Sequence, residues 1–188
     1  MSRSRVLPIR ARALLPAALL AALLSLLALS ATAEAGGGIS PDGTDSSTET
    51  TSGSKAKLVK GKAIAPENAP RKVKRVIAAA NEIRNKPYRY GGGHGSWKDS
   101  GYDCSGAVSY ALHGAKLLKS PLDSSGLARY GRKRRGDWIT VFGASSHAYM
   151  VVAGLRFDTA MVRGDGPGWS KKLRSTPESY KARHPRGL

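Results

Sequence analysis

A single cysteine carries the most reactive chemistry in this sequence. Cys104 is the only cysteine among the 188 residues, and it stands in the tetrapeptide DCSG at the start of an apolar, helix-like stretch. At the first turn of a helix, unpaired backbone N–H groups and the helix dipole stabilise a thiolate. The small residues Ser105 and Gly106 leave room for a substrate and for amides that face an oxyanion. We therefore predict that Cys104 is a nucleophile. The alternative is a small buried core residue, but Cys104 lies at the helix tip, outside the apolar stripe.

Four histidines compete to be the base that activates this thiol. His147 opens a predicted strand after the small residues GASS, so rigid structure can present it. His94 lies in a glycine-rich loop on an unsupported backbone, and His184 lies in a basic tail. His113 is two to three helical turns from Cys104, which is too far for a direct pair. His147 is therefore the best candidate for the base.

The predicted strands also suggest a carboxylate that could orient the imidazole of His147. If Ala153–Gly154 forms a two-residue hairpin turn, Tyr149 faces Asp158 across the hairpin. Side chains alternate between the faces of a strand, so His147, Tyr149 and Asp158 share one face. Asp158 is then the candidate that orients the imidazole. A register slip by one residue would put Thr159 there instead.

The elements that position these residues predict an α+β fold. Apolar spacing indicates a helix in RKVKRVIAAANEIRNK, from Arg71, and a second helix over residues 104–116 with Asp103 as its N-cap. Short β-branched runs follow, DWITVF, HAYMVV and LRFDTA, which predict a small antiparallel sheet. The tail after residue 160 is rich in Gly, Pro and basic residues, with Trp169 and Tyr180 as its expected attachments to the core. Helices first and strands afterwards favour one domain over residues 71–188.

The N-terminal region predicts export. Residues 1–35 contain four arginines, a Leu/Ala run and small residues in SATAEA, which is typical of a secretory signal peptide, although an uncleaved anchor is the alternative. Residues 36–70 have the composition of a flexible basic linker. We therefore expect a secreted protein or one of the cell envelope. Without residues 1–35 the chain has 27 Lys and Arg against 12 Asp and Glu, a net charge of +15. This charge suggests anionic cell-wall polymers as partners through a basic surface, with no specific nucleic acid. We expect a monomer.

The order PYRYGG, YDCSG, RGDWITVF and SHAYMVVAG resembles the NlpC-like family of bacterial cell-wall cysteine peptidases, over residues 71 to 159. The resemblance implies a papain-like fold, in which N-terminal helices, one with the cysteine at its N-terminus, pack on a small antiparallel sheet carrying the histidine. It also implies hydrolysis of peptide bonds in peptidoglycan stem peptides, without metal or cofactor. Cys104 matches the nucleophile and His147 the base. Tyr88 matches a tyrosine beside the catalytic pair, whereas Asp103 and Ser105 match positions that contact the amino end of the substrate.

The family's third polar residue is usually His, Asn or Gln, so the candidate Asp158 departs from the family's pattern.

Two other functions stay open on the sequence alone. A catalytically silent module that binds anionic wall polymer or nucleic acid would explain the basic charge equally well. A Cys–His acyltransferase on the same fold would use the same two residues.

Overall fold

In a computed structural model, residues 50–51, 53–161 and 164–188 are described. The predicted signal peptide, and residues 36–49 and 52 of the predicted linker, lie outside them. The helices are α1 (Arg71–Ile83), α2 (Cys104–Gly114) and α3 (Ser124–Leu127). The strands are β1 (Thr50–Thr51), β2 (Lys57–Val59), β3 (Lys62–Pro66), β4 (Arg132–Lys133), β5 (Ile139–Gly143), β6 (Ala148–Val152), β7 (Leu155–Met161), β8 (Gly164–Ser170) and β9 (Lys181–His184).

The six strands from β4 to β9 form one antiparallel sheet in the order β4-β9-β5-β6-β7-β8. Helix α2 packs against β6 and β7, and α1 packs against α2. Every second residue of β6, from Ala148 through Met150 to Val152, joins the apolar core, as the period of two requires. The class is therefore α+β, with the cysteine-bearing helix on an antiparallel sheet, in the papain-like arrangement that the resemblance implied.

The hairpin between β6 and β7 has the predicted register. Val152 pairs with Leu155 and Met150 with Phe157, so the one-residue slip towards Thr159 is not observed. Ala153 and Gly154 both have positive φ, 46° and 84°. Such a pair forms the type I′ turn, whose twist matches that of the flanking strands.

The linker prediction is wrong for residues 57–66. Strands β2 and β3 form a hairpin there, and Ala63 to Pro66 are buried. Asn81 on α1 explains this order, because its side chain accepts from the backbone N–H of Ala63, 3.0 Å away, and donates to the carbonyl of the same residue at 2.8 Å. A basic, proline-containing sequence gave no apolar period from which to predict the hairpin.

The tail is also more structured than the sequence indicates, because it supplies β8 and β9. Trp169 is buried and donates from Nε1 to Asn81 Oδ1 at 3.0 Å, and the Tyr180 ring packs edge-on against Tyr149. Both predicted attachments are therefore confirmed. Among the described residues, no helix has the length and apolar content that a membrane span requires.

Candidate active site

The YRYGG and DCSG segments meet at the N-terminus of α2. Tyr88 pairs with Tyr102 in a parallel bridge, and the N–H of Asp103 donates to the carbonyl of Gly92 at 3.2 Å. A Cβ on Gly106 would lie 2.0 Å from that carbonyl oxygen, so the contact requires glycine. The two motifs therefore form one structural unit whose glycines allow the backbones to approach each other.

Asp103 is the N-cap of α2, as predicted. Its Oδ1 accepts from the backbone N–H of Gly106 at 2.7 Å, and its Oδ2 accepts from Gly91 N–H at 3.1 Å. This cap starts the helix at Cys104, so the thiol lies in the first turn, where the helix dipole favours an anion.

The Cys104 thiol is half-buried and is hydrogen-bonded by two groups. Burial opposes its ionisation, but hydrogen bonds from His147 and from the backbone N–H of Ala148 hold the pKa of Cys104 below its usual value. The negative charge of Asp103 acts in the opposite direction and is the smaller effect. The site therefore favours the thiolate, which is the nucleophilic form.

His147 lies just before β6 and links Cys104 to Asp158. Its Nε2 is 2.8 Å from Asp158 Oδ1. A carboxylate can only accept, so Nε2–H donates, and Nδ1 is left for the thiol. Burial alone would lower the pKa of His147, but the hydrogen bonds to Asp158 and Cys104 raise it to about 9. A protonated imidazole beside a thiolate is the expected form at neutral pH.

Asp158 is fully buried on β7, where two other hydrogen-bond donors and a second arginine surround its carboxylate. Oδ1 also accepts from the N–H of Ala160 at 3.0 Å, and Oδ2 accepts from Arg174 at 3.0 Å, with the Arg156 Nε at 3.6 Å. Burial disfavours the charged form, yet the hydrogen bonds from His147, Ala160 and Arg174 hold the pKa of Asp158 below its usual value. The predicted proximity of Asp158 and His147 is present, with the acid ionised.

The C-terminal segment supplies groups that the sequence did not predict. The Arg174 guanidinium lies 5.5 Å from the centre of the Tyr149 ring, and the Tyr149 hydroxyl hydrogen-bonds Thr176 at 2.8 Å. Nothing in the sequence around Arg174 has a period or motif that points to Asp158. Only the fold of the tail brings them together.

The three predicted substrate-binding residues lie beside the thiol. Tyr88 is 44% exposed, and burial together with the charges of Cys104 and Asp103 raises its pKa. Ser105 is buried and donates from Oγ to Asp103 Oδ1 at 3.1 Å. Tyr88 is therefore open to a ligand, whereas the polar groups of Asp103 and Ser105 are bound to each other.

The other histidines differ in their surroundings. His94 is not unsupported as predicted, since its Nε2 lies 3.1 Å from Asp103 Oδ1 and 3.2 Å from Ser105 Oγ. His113 stacks on Trp97 with ring centres 3.9 Å apart, and His184 Nδ1 lies 3.1 Å from the carbonyl of Leu188. The described residues contain no group of three or more His, Cys, Asp and Glu side chains arranged to hold a metal ion.

No protein-family model matches the chain, and no curated protein sequence matches it. Solved structures do. The P60 domain of an antigen from M. avium subspecies paratuberculosis is 22% identical, over 60% of this chain and 94% of that one, with a TM-score of 0.49. The peptidoglycan hydrolase RipB from Mycobacterium tuberculosis is 23% identical, over 61% and 68%, with a TM-score of 0.47.

RipD from Mycobacterium tuberculosis, described as a non-catalytic NlpC/p60 domain protein adapted to peptidoglycan binding, is 22% identical, over 62% of this chain and 98% of that one, with a TM-score of 0.46. The similar solved structures are NlpC/P60 domain proteins. The chain spans 65% of the length of two further such structures.

Proposed function

We propose that this protein is an exported cysteine hydrolase that cleaves peptide bonds in peptidoglycan stem peptides. The observation that carries the proposal is the chain of contacts from Cys104 at the start of α2 through His147 to the buried Asp158. Nucleophile, base and orienting acid in that order are what acyl transfer from a peptide requires.

In the first half of the reaction, the Cys104 thiolate adds to the carbonyl carbon of the scissile bond. The developing oxyanion is stabilised by backbone N–H groups of the first turn of α2 other than that of Gly106, which already donates to Asp103. His147, protonated because its pKa is about 9, donates its proton to the departing amine. A thioester on Cys104 remains.

In the second half, water attacks that thioester. The now neutral His147 accepts a proton from the water, and Asp158 holds the ring in the orientation that presents Nδ1. The carboxylic acid product leaves, and the thiolate and imidazolium are restored.

The substrate class comes from the motif resemblance and from the chemistry of the surface. Strand β4 and the residues after it present four exposed basic residues, Arg132, Lys133, Arg134 and Arg135. Such a surface attracts anionic polymers, which cell walls contain. Binding to the wall would raise the local concentration of stem peptides near Cys104.

The same basic strand favours a second candidate, a catalytically silent module that binds the wall. Such a module needs neither a reactive thiol nor the His147–Asp158 contact. It predicts polymer binding without release of new amino termini.

The proposal is tested by incubating the protein without residues 1–35 with purified peptidoglycan fragments and measuring new amino termini. We expect release by the parent and none by Cys104→Ala, with Ser125→Ala as a control for a small surface change outside the site. Equal release by parent and Cys104→Ala would show that another group is the nucleophile. No release by either would favour the binding module, and transfer to an added amine in place of water would identify an acyltransferase.

A further inference from the structure

A second aspartate–histidine pair lies beside Cys104, and the proposed mechanism does not use it. His94 Nε2 is 3.1 Å from Asp103 Oδ1 and 3.2 Å from Ser105 Oγ. Asp103 and Ser105 flank the nucleophile in the sequence. His94 therefore contacts both residues that flank Cys104, and its imidazole is a side chain that can bind a ligand.

The backbone that carries His94 is fixed at both of its ends. Gly93 N–H donates to Asp99 Oδ2 at 3.1 Å, and the Tyr102 hydroxyl donates to the carbonyl of Trp97 at 2.7 Å. A Cβ on Gly93 would lie 2.7 Å from the Tyr102 ring. This close packing on the start of α2 holds the imidazole in place, as a binding residue requires.

The contact with Asp103 determines which ring nitrogen of His94 carries the proton. The Asp103 carboxylate accepts only, so Nε2 of His94 carries the proton and donates. In the tautomer with its single proton on Nε2, Nδ1 is a hydrogen-bond acceptor. Within the described part of the chain, Nδ1 of His94 has no hydrogen-bond partner.

His94 is also the most accessible member of this cluster. Its side chain is 28% exposed against 11% for Asp103, and Ser105 is buried. The carboxylate of Asp103 already receives donors from Gly91, Ser105 and Gly106 as well as His94. A ligand arriving at this side of Cys104 therefore meets the His94 ring first.

We propose that His94 is a substrate-binding residue whose Nδ1 accepts a hydrogen bond from a backbone amide or amino N–H of the peptide bound at Cys104. This inference rests on the proposed function for its substrate class, since every stem peptide supplies such N–H groups. The Asp103 carboxylate fixes the tautomer of His94, in the same way as Asp158 orients the ring of His147. In this proposal His147 activates the Cys104 thiol, and His94 binds the peptide.

The substitution His94→Gln separates this role from a structural one. A glutamine amide can place its N–H near the position of Nε2, so it keeps the bond to Asp103, but it has no acceptor at the position of Nδ1. We expect binding of a synthetic stem tetrapeptide to weaken about tenfold, the scale of one lost hydrogen bond. Titration calorimetry in the Cys104→Ala background measures this without turnover. His184→Asn is the control for a histidine in β9.

An unchanged dissociation constant in His94→Gln would overturn the inference, because a tether to Asp103 would then be the only role of His94. Absence of tetrapeptide binding in the Cys104→Ala background would overturn it as well. With Cys104 present, we expect KM to rise while kcat and the rate of thiol alkylation stay near those of the parent. Slower alkylation would instead show that His94 acts on the reactivity of the Cys104 thiol and not on peptide binding. If the parent binds the peptide without cleaving it, the proposed hydrolysis fails but the binding role of His94 is still tested.

Discussion

At the scale of residues, a buried carboxylate governs the chemistry of the site. Asp158 has a fully buried side chain, and such a charge is tolerated only with close partners. The His147 imidazole, the Ala160 N–H and the Arg174 guanidinium supply them. The resulting negative charge favours the imidazolium of His147, which in turn favours the thiolate of Cys104.

Part of this arrangement was predictable and part was not. The free thiol, the helix start and the Ala153–Gly154 turn were enough to bring Cys104, His147 and Asp158 into one hypothesis. Arg174 was not predictable, because it reaches Asp158 from a tail without apolar alternation. His94 was misjudged because glycines suggested mobility, whereas here they allow tight backbone packing.

Asp158→Asn tests the orienting role. The asparagine amide can donate to Nε2 of His147, which favours the wrong tautomer and removes the charge that holds the imidazolium. We expect kcat on a defined stem peptide to fall by roughly 10²-fold or more, with KM changed less. Circular dichroism checks that the variant is folded. A kcat within twofold of the parent in the folded variant would exclude Asp158 from the mechanism.

The pKa values predict the direction of the pH dependence. His147 must be protonated to donate to the leaving amine, so activity should fall as pH rises through about 9. Folding raises the pKa of His147, so protonated His147 also stabilises the folded protein. This contribution to the free energy of unfolding is fully present below the ordinary pKa of histidine and is lost as pH rises through about 9. The profile of kcat against pH for a defined stem peptide measures this limb. A decline already centred near the ordinary pKa of histidine would contradict the account.

At the scale of elements, apolar periodicity predicted helices α1 and α2 and the strands β5 to β7, but not α3 or the strands at either end of the domain. β8 contains Gly164–Ser170, the sequence GDGPGWS, and β9 contains the sequence KARH; neither alternates. Both are ordered by pairing with β7 and β5 rather than by their own side chains. Long-range pairing of this kind has no local signal in the sequence.

Asn81 on α1 joins three of these elements and gives a test of the fold. It bonds both backbone groups of Ala63 in β3 and the indole of Trp169 in β8. Asn81→Ala leaves these groups buried without partners, so we expect the free energy of unfolding to fall by about 2–4 kcal/mol. Urea unfolding measures the change, with the exposed Asn85→Ala as its control. Equal stabilities of the two variants would show that β2 and β3 are not part of the cooperative fold.

At the scale of the whole molecule, the basic strand and the proposed catalytic residues lie on different elements. Strand β4 is at the edge of the six-stranded sheet, and its basic side chains are exposed. Charged edges also prevent strand addition by other molecules, so this strand serves solubility whether or not it binds a polymer. Arg134 has a φ of 83°, an unusual conformation for a residue with a side chain.

Replacing Arg132, Lys133 and Arg134 by glutamine tests binding through this surface. We expect the affinity for an anionic wall polymer to fall roughly tenfold at low salt, with a shallower salt dependence. Hydrolysis of a small soluble stem peptide should not change. The control replaces three exposed lysines on other segments, Lys119, Lys171 and Lys172, by glutamine. Equal losses in both triple variants would mean that net charge acts without a specific surface.

The measurement that tests the central claim most directly is the rate of alkylation of Cys104 by iodoacetamide across pH, in the parent and in His147→Ala. An ordinary thiol ionises near pH 8.5, so it reacts slowly at pH 6. We predict faster alkylation of the parent than of His147→Ala at pH 6, because His147 lowers the pKa of Cys104, and a return towards ordinary thiol behaviour in His147→Ala. Identical profiles for the two proteins, both rising near the ordinary thiol pKa, would contradict the assignment of Cys104 and His147 as a catalytic pair.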